Sequence, residues 1–94
     1  MKVRLYYQYM AQVTIYSSRP CPFCERAKAF LKSRDISFEE IDLTLDHQAK
    51  VELIERTHFM TVPQIFIGDE FIGGFQELVA YDQAGKLASL SESL

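Results

Sequence analysis

The 94-residue chain has no apolar run that approaches the roughly 20 residues needed to cross a bilayer, so a helical membrane anchor is not expected. The stretch from Met1 to Met10 carries a basic pair, Lys2 and Arg4, but its apolar part is short and broken by Gln8. It does not read as a secretory signal, and a cytoplasmic location is expected. There is no basic block either. Ten Lys and Arg are interspersed with thirteen Asp and Glu for a net charge of −3, which leaves no electrostatic footprint for non-specific nucleic-acid binding. Repeats, linkers and low-complexity tracts are also missing. One domain is expected over residues 1–94, with its core at about 11–90 and residues 1–9 as an N-terminal extension. The chain is expected to act as a monomer.

Cysteine is scarce: there are two, in the run Cys21-Pro22-Phe23-Cys24. Linking them would close almost no chain, so a stapled scaffold is excluded, and in a cytosolic setting such a pair reads as redox or metal chemistry. A zinc half-site completed by His47 and His58 fits no common finger spacing, so no metal is expected. Two inert structural cysteines are the remaining plain alternative.

What is present is periodic. Gln12 to Tyr16 is β-branched and aromatic, a strand signal that Ser17 to Pro20 breaks. From Pro22 to Arg34, Phe23, Ala27, Phe30 and Leu31 fall on one helical face. Phe38 to Leu43 is a weaker strand. Asp46 can cap a second helix running to about Thr57, with Ala49, Val51, Leu53 and Ile54 as its apolar residues. Gln64 to Ile67 and Glu70 to Ile72 are short strands joined by Gly68-Asp69, a hairpin signal. A third helix is expected from about Gln76 to Ala84 with Gly85 as its stop, and Leu87, Leu90 and Leu94 suggest a short last helix. The order β-α-β-α-β-β-α-α implies a parallel βαβ half followed by an antiparallel hairpin. The expected fold class is therefore α/β: a four-stranded mixed sheet with helices on both faces.

The cysteine motif sits between the first strand and the first helix. The first helical N–H groups lack intrahelical partners and carry about half a positive charge, which stabilises a thiolate at Cys21. Such a position lowers a cysteine pKa from about 8.5 into a range of about 3.5–7.5. At a pKa of about 5 the thiolate fraction at pH 7 rises roughly 30-fold, while a Brønsted slope of about 0.4–0.5 lowers intrinsic nucleophilicity by a similar factor. The net gain lies in the leaving-group step, because a low-pKa sulfur departs faster. Cys24, one turn further on and more buried, is placed to resolve a mixed disulfide on Cys21. Arg19 and Arg26 can add positive potential.

Three signatures in order make the chain resemble the dithiol glutaredoxins, within the thioredoxin-like fold of a three-layer sandwich. They are Cys21-Pro22-Phe23-Cys24, close to the family's C-P-Y-C; Thr61-Val62-Pro63, leading into Gln64-Ile65-Phe66-Ile67; and Ile72-Gly73-Gly74. The resemblance covers about residues 11–90. It implies a glutathione-dependent thiol–disulfide oxidoreductase with Cys21 as nucleophile and Cys24 as resolving thiol, no tightly bound cofactor, and glutathione as co-substrate. Disulfide-containing or glutathionylated proteins would be its partners, ribonucleotide reductase among the candidates. It also implies a cis Val62–Pro63 bond that offers the Val62 backbone to the cysteine of glutathione.

Glutathione has two carboxylates and one ammonium group. The residues that the resemblance assigns to it are Arg19, Phe23, Lys50, Thr61, Val62, Pro63, Gly74, Gln76 and Glu77. Gly74 permits a close backbone approach, the following helix N-terminus suits a carboxylate, Glu77 suits the ammonium group, and Lys50 the glycine carboxylate. For Glu77 a plain first-turn helix carboxylate, and for Lys50 a solvated lysine, are the alternatives. The chain departs from the family where a Lys is common three residues before the motif, here Ser18, and where a basic residue is common before Thr61, here Phe59 and Met60. Phe23 replaces Tyr. The site is thus less cationic and more apolar than the family's, which favours weaker glutathione affinity or an apolar protein partner. Phe59 and Met60 can equally be core residues. Two other readings stand beside this one: reduction by thioredoxin reductase in place of glutathione, and an iron–sulfur cluster held between two subunits, an activity that usually accompanies C-G-F-S and not Pro22.

Overall fold

The computed structural model describes residues 13–90. Four strands form one sheet in the order β2-β1-β3-β4: β1 Val13–Ser17, β2 Phe38–Asp42, β3 Gln64–Ile67 and β4 Glu70–Gly73. β1 runs parallel to β2 and antiparallel to β3, and β3 pairs antiparallel with β4. Helix α1 (Pro22–Ser33) makes the crossover between the parallel strands, and α2 (His47–Thr57) and α3 (Phe75–Gln83) follow β2 and β4.

Strand alternation divides the core into two layers. Val13, Ile15 and Ile65 point to one side, where they pack with Ala27 and Leu31 of α1, Leu78 of α3, and Ile36 and Leu87. Phe66 points to the other side and packs with Leu43 and with Leu53 of α2, flanked by Tyr16, Ile41, Ala49 and Phe71. Helices α1 and α3 therefore cover one face and α2 the other, giving the expected three layers. Ile65 and Phe66, adjacent in β3, are both buried because that strand is covered on both sides.

Local signals account for the element ends. Asp46 caps α2 by accepting the Ala49 N–H at 3.0 Å. Gly68 takes φ +60° at the first hairpin position, where a Cβ is unfavourable. Gly85, φ +83°, follows the last turn of α3. Some expectations shift. The buried stripe of α1 is Cys24, Ala27 and Leu31, whereas Phe23 is 49% exposed. Val51 is exposed and Leu53 is the buried residue of α2, because only one narrow stripe of that helix meets the sheet. Helix α3 begins one residue early, at Phe75, and the last helix is a single 3₁₀ turn, Ala88–Leu90. Gln12, Leu94 and the 1–9 extension lie outside the described residues.

Candidate active site: the dithiol and its groove

Cys21 is the N-cap of α1. Its backbone is extended (φ −155°, ψ 94°) and Pro22 opens the helix, where a missing N–H removes no helical bond. The Cys21 carbonyl accepts the N–H groups of Cys24 and Glu25 at 3.1 and 3.2 Å, and its sulfur accepts the Cys24 N–H at 3.0 Å. A cysteine thus occupies the place where Ser or Asp usually satisfies an orphan helical donor. The two sulfurs are joined in a disulfide with the Cα atoms 5.2 Å apart, within the ordinary span of such a bridge. Cys21 is half-buried and Cys24 fully buried. The outer sulfur is the one that an external disulfide can reach.

The opposite wall comes from the α2–β3 connection. The Val62–Pro63 bond is cis, as the resemblance implies, and the Val62 carbonyl oxygen lies 3.7 Å from Cys21 Sγ. A buried side chain holds this connection in shape. Gln64 Nε2 donates to the carbonyls of Phe59 (2.7 Å) and Thr61 (3.2 Å), while its Oε1 accepts the Thr57 hydroxyl at 2.8 Å. Thr57 also accepts the Phe59 N–H at 3.2 Å. Every polar atom of this buried amide is used. Nothing in the sequence separates Gln64 from an ordinary strand residue, and its burial is seen only in the structure.

A groove of about 200 Å³ runs beside the dithiol, lined by Phe23, Phe59, Thr61, Val62, Pro63, Gly74, Phe75, Gln76 and Glu77. Seven of the nine residues assigned to glutathione by resemblance fall here, in three separate segments. Gly74 is the narrow point: a Cβ on it would lie 3.3 Å from the Pro63 carbonyl oxygen and 3.5 Å from the Phe59 ring. Glu77 folds back so that its Oε1 accepts the Gly74 N–H at 2.8 Å, which makes it a first-turn cap as well as a groove residue. Phe59 and Phe75, not assigned to the ligand beforehand, complete the walls. Phe59 stacks edge-on against Phe71 at 5.4 Å and so links the groove to the α2-side core, while Met60 beside it is 72% exposed and is no core residue.

Arg19 and Lys50 do not line the groove. The Arg19 guanidinium is 3.1 Å from Asp42, and the Arg19 backbone N–H donates to the Thr44 hydroxyl at 3.0 Å. The Thr44 hydroxyl and N–H hold the Asp42 carboxyl below its usual range. Lys50 is in the first turn of α2. Arg26 stacks over the Phe23 ring at 5.0 Å. The Arg19–Pro20 bond is cis as well, which the sequence reading did not anticipate. His47 opens α2 and His58 is its left-handed C-cap, and among the described residues no three His, Cys, Asp or Glu side chains gather as a metal site.

The glutaredoxin family model matches residues 13–72. This chain belongs to the glutaredoxin family. Glutaredoxin 3 of Escherichia coli strain K12 is 44% identical over 81 residues, covering 86% of this chain and 98% of that relative. A glutaredoxin of Pseudomonas aeruginosa is 40% identical over 81 residues, covering 86% and 96%. Among solved structures, the buckwheat glutaredoxin–glutathione complex superposes with a TM-score of 0.77 at 25% identity, covering 95% of this chain and 86% of that one. Glutaredoxin from Brucella melitensis gives 0.75 at 41% identity, covering 90% and 94%. With its Cys21–Cys24 pair, this glutaredoxin is of the dithiol type and has the thioredoxin-like fold, and its activity class is thiol–disulfide oxidoreduction.

Proposed function

We propose that this glutaredoxin reduces protein disulfides and glutathione mixed disulfides at the expense of glutathione. The observation that carries the reading is the half-buried Cys21 sulfur, held on the α1 N-terminus by the Cys24 N–H and facing the Val62 carbonyl. In the reduced protein the same N–H and helix dipole favour the Cys21 thiolate. That thiolate attacks one sulfur of the substrate disulfide, and the other sulfur leaves as a thiolate and takes up a proton. Cys24 then attacks Cys21 Sγ, forms the intramolecular disulfide and releases the second substrate thiol. One glutathione thiolate opens the Cys21–Cys24 bond, leaving glutathione on Cys21, and a second removes it as glutathione disulfide. Two electrons pass from two glutathione molecules to one disulfide.

The groove supplies the seat. The Val62 N–H and C=O pair with the cysteine backbone of glutathione, and the α3 N-terminus at Gln76 takes a carboxylate. Glu77, with one oxygen on Gly74, offers the other to the ammonium group. Arg19 would have to leave Asp42 to take part. The absence of any Lys or Arg among the groove residues supports a second reading, in which thioredoxin reductase regenerates the dithiol in place of glutathione.

The test is turnover of a small glutathione mixed disulfide coupled to glutathione reductase. Wild type and Cys24→Ser are expected to be active and Cys21→Ser inactive. On a protein disulfide Cys24→Ser is expected to lose most activity, because the resolving step is gone. A wild type that turns over only with thioredoxin reductase would establish the second reading.

A further inference from the structure

Two guanidinium groups flank the dithiol in the chain, and they are held differently. Arg26, in α1, lies over the Phe23 ring at 5.0 Å. Arg19, two residues before Cys21, is engaged by the end of β2. The parallel register sets Ser17 beside Asp42, and the Leu43 N–H donates to the Ser17 carbonyl at 2.8 Å, so the end of β2 runs alongside the loop that leads to Cys21. Asp42 uses both carboxylate oxygens there. Oδ1 accepts the Thr44 hydroxyl and, at 2.9 Å, the Thr44 N–H, while Oδ2 faces the Arg19 guanidinium at 3.1 Å. Thr44 in turn accepts the Arg19 backbone N–H at 3.0 Å. Backbone and side chain thus tie Arg19 to the same two residues. The two charged side chains are 67% and 43% exposed, so the pair adds little to stability. Its consequence is electrostatic: a cation close in the chain to the reactive sulfur is cancelled by an adjacent anion.

We propose that Asp42 is a specificity-determining residue of the dithiol: by neutralising Arg19 it keeps Cys21 from favouring anionic disulfides over neutral and cationic ones. This rests on Cys21 as the attacking sulfur of the proposed function and adds what sets its charge preference. Asp42 touches no substrate and acts through Arg19. The groove adds one ionisable side chain, the Glu77 anion, so nothing in it offsets the loss of the Arg19 charge. A unit charge about 10 Å away changes the rate with a charged disulfide about threefold in dilute salt.

The experiment follows oxidation of the fully reduced protein to the Cys21–Cys24 disulfide by three small disulfides, each of which takes two electrons and leaves as two thiols. Glutathione disulfide is anionic, cystamine is cationic, and hydroxyethyl disulfide is neutral and normalises any change in the Cys21 thiolate. Asp42→Asn keeps an oxygen for Thr44 and removes the charge. In about 10 mM salt it is expected to speed glutathione disulfide and slow cystamine, each about threefold relative to hydroxyethyl disulfide, and both effects are expected to vanish in about 1 M salt. A purely structural role would move all three rates the same way. Arg19→Gln leaves Asp42 uncovered and is expected to reverse both shifts, and the Arg19→Gln, Asp42→Asn double variant is expected to return both ratios to those of wild type. Glu39→Gln makes the same charge change at an exposed position of the same strand and is expected to leave the ratios alone. Wild-type ratios in Asp42→Asn, an equal shift from Glu39→Gln, or a double variant as slow on glutathione disulfide as Arg19→Gln would overturn the role of Asp42 and leave the proposed activity standing. A wild type that none of the three disulfides oxidises would overturn that activity, and the role of Asp42 with it.

Discussion

At the scale of single residues, two positions carry most of the site's character. Cys21 replaces a hydroxyl or carboxylate cap with sulfur, so the bond that starts α1 is also the bond that stabilises a thiolate. Gly73 is the second. It takes φ +117°, and a Cβ there would lie 2.6 Å from Glu77 Cγ, whereas at Gly74 the tightest contact would be 3.3 Å. Gly73→Ala is expected to cost about 2 kcal/mol, the scale of a strained non-glycine residue, and to pull Glu77 off the Gly74 N–H. Gly74→Ala is expected to cost less in stability and to raise KM for the glutathione mixed disulfide. Urea unfolding and steady-state kinetics on the pair separate the two effects, and equal stability losses would count against the difference. Cys21 and Cys24 stand out in the sequence because cysteine is rare and the pair sits at a helix start, whereas the cis bond at Val62–Pro63 was expected only from the resemblance. Arg19 and Lys50 were assigned to glutathione by the family resemblance, and neither lines the groove. The partner that engages Arg19, Asp42, comes from a different strand, so no local pattern could reveal it.

At the scale of elements, the connection between α2 and β3 decides where Val62 stands. Its shape depends on the Gln64 amide, which is 1% exposed and bonded to Thr57, Phe59 and Thr61. Gln64→Leu keeps the volume but strands the carbonyls of Phe59 and Thr61, while the Thr57 hydroxyl keeps the Leu53 carbonyl. A loss of about 2 kcal/mol is expected, with a raised KM, because Val62 would no longer be fixed opposite Cys21. Denaturant unfolding at unchanged m-value would check the first part; a variant as stable as wild type would show the clamp to be idle. Helices and strands were legible to within about a residue or two because their periods are written in the chain. The exposure of Val51 and Phe23 was not, since periodicity names a face but not its width. The Gln64 clamp was invisible for a related reason: a polar residue in a strand is as common at a solvated edge as in a satisfied interior.

At the scale of the whole molecule, one polar network ties three elements together behind the dithiol. The Ser17 hydroxyl of β1 donates to Glu40 of β2 at 2.6 Å, and Lys28 of α1 reaches the same carboxylate at 2.9 Å and Glu25 at 3.1 Å. The Ser17 hydrogen bond and then Lys28 hold the Glu40 carboxyl below its usual range, and Glu40 holds the Lys28 ammonium above its own. A lowered carboxyl stabilises the fold above its unfolded pKa and ceases to do so as pH falls through the lowered value. A raised ammonium stabilises below its unfolded pKa and ceases to do so as pH rises through the raised value. Stability from this network is thus complete near neutrality and lost at both extremes. Glu40→Gln is expected to lower the melting temperature near pH 7 and to narrow its gap from wild type in strong acid, whereas a gap constant with pH would contradict the assignment. The three-layer arrangement itself was legible from element order, and it brings residues of three segments to one sulfur. The most direct test of the central claim is to quench the reduced protein shortly after mixing with glutathione disulfide and to locate the adduct by peptide mass. Glutathione on Cys21 in Cys24→Ser, and the Cys21–Cys24 disulfide in wild type, is the predicted result. An adduct on Cys24, or none on Cys21 of Cys24→Ser, would contradict the account.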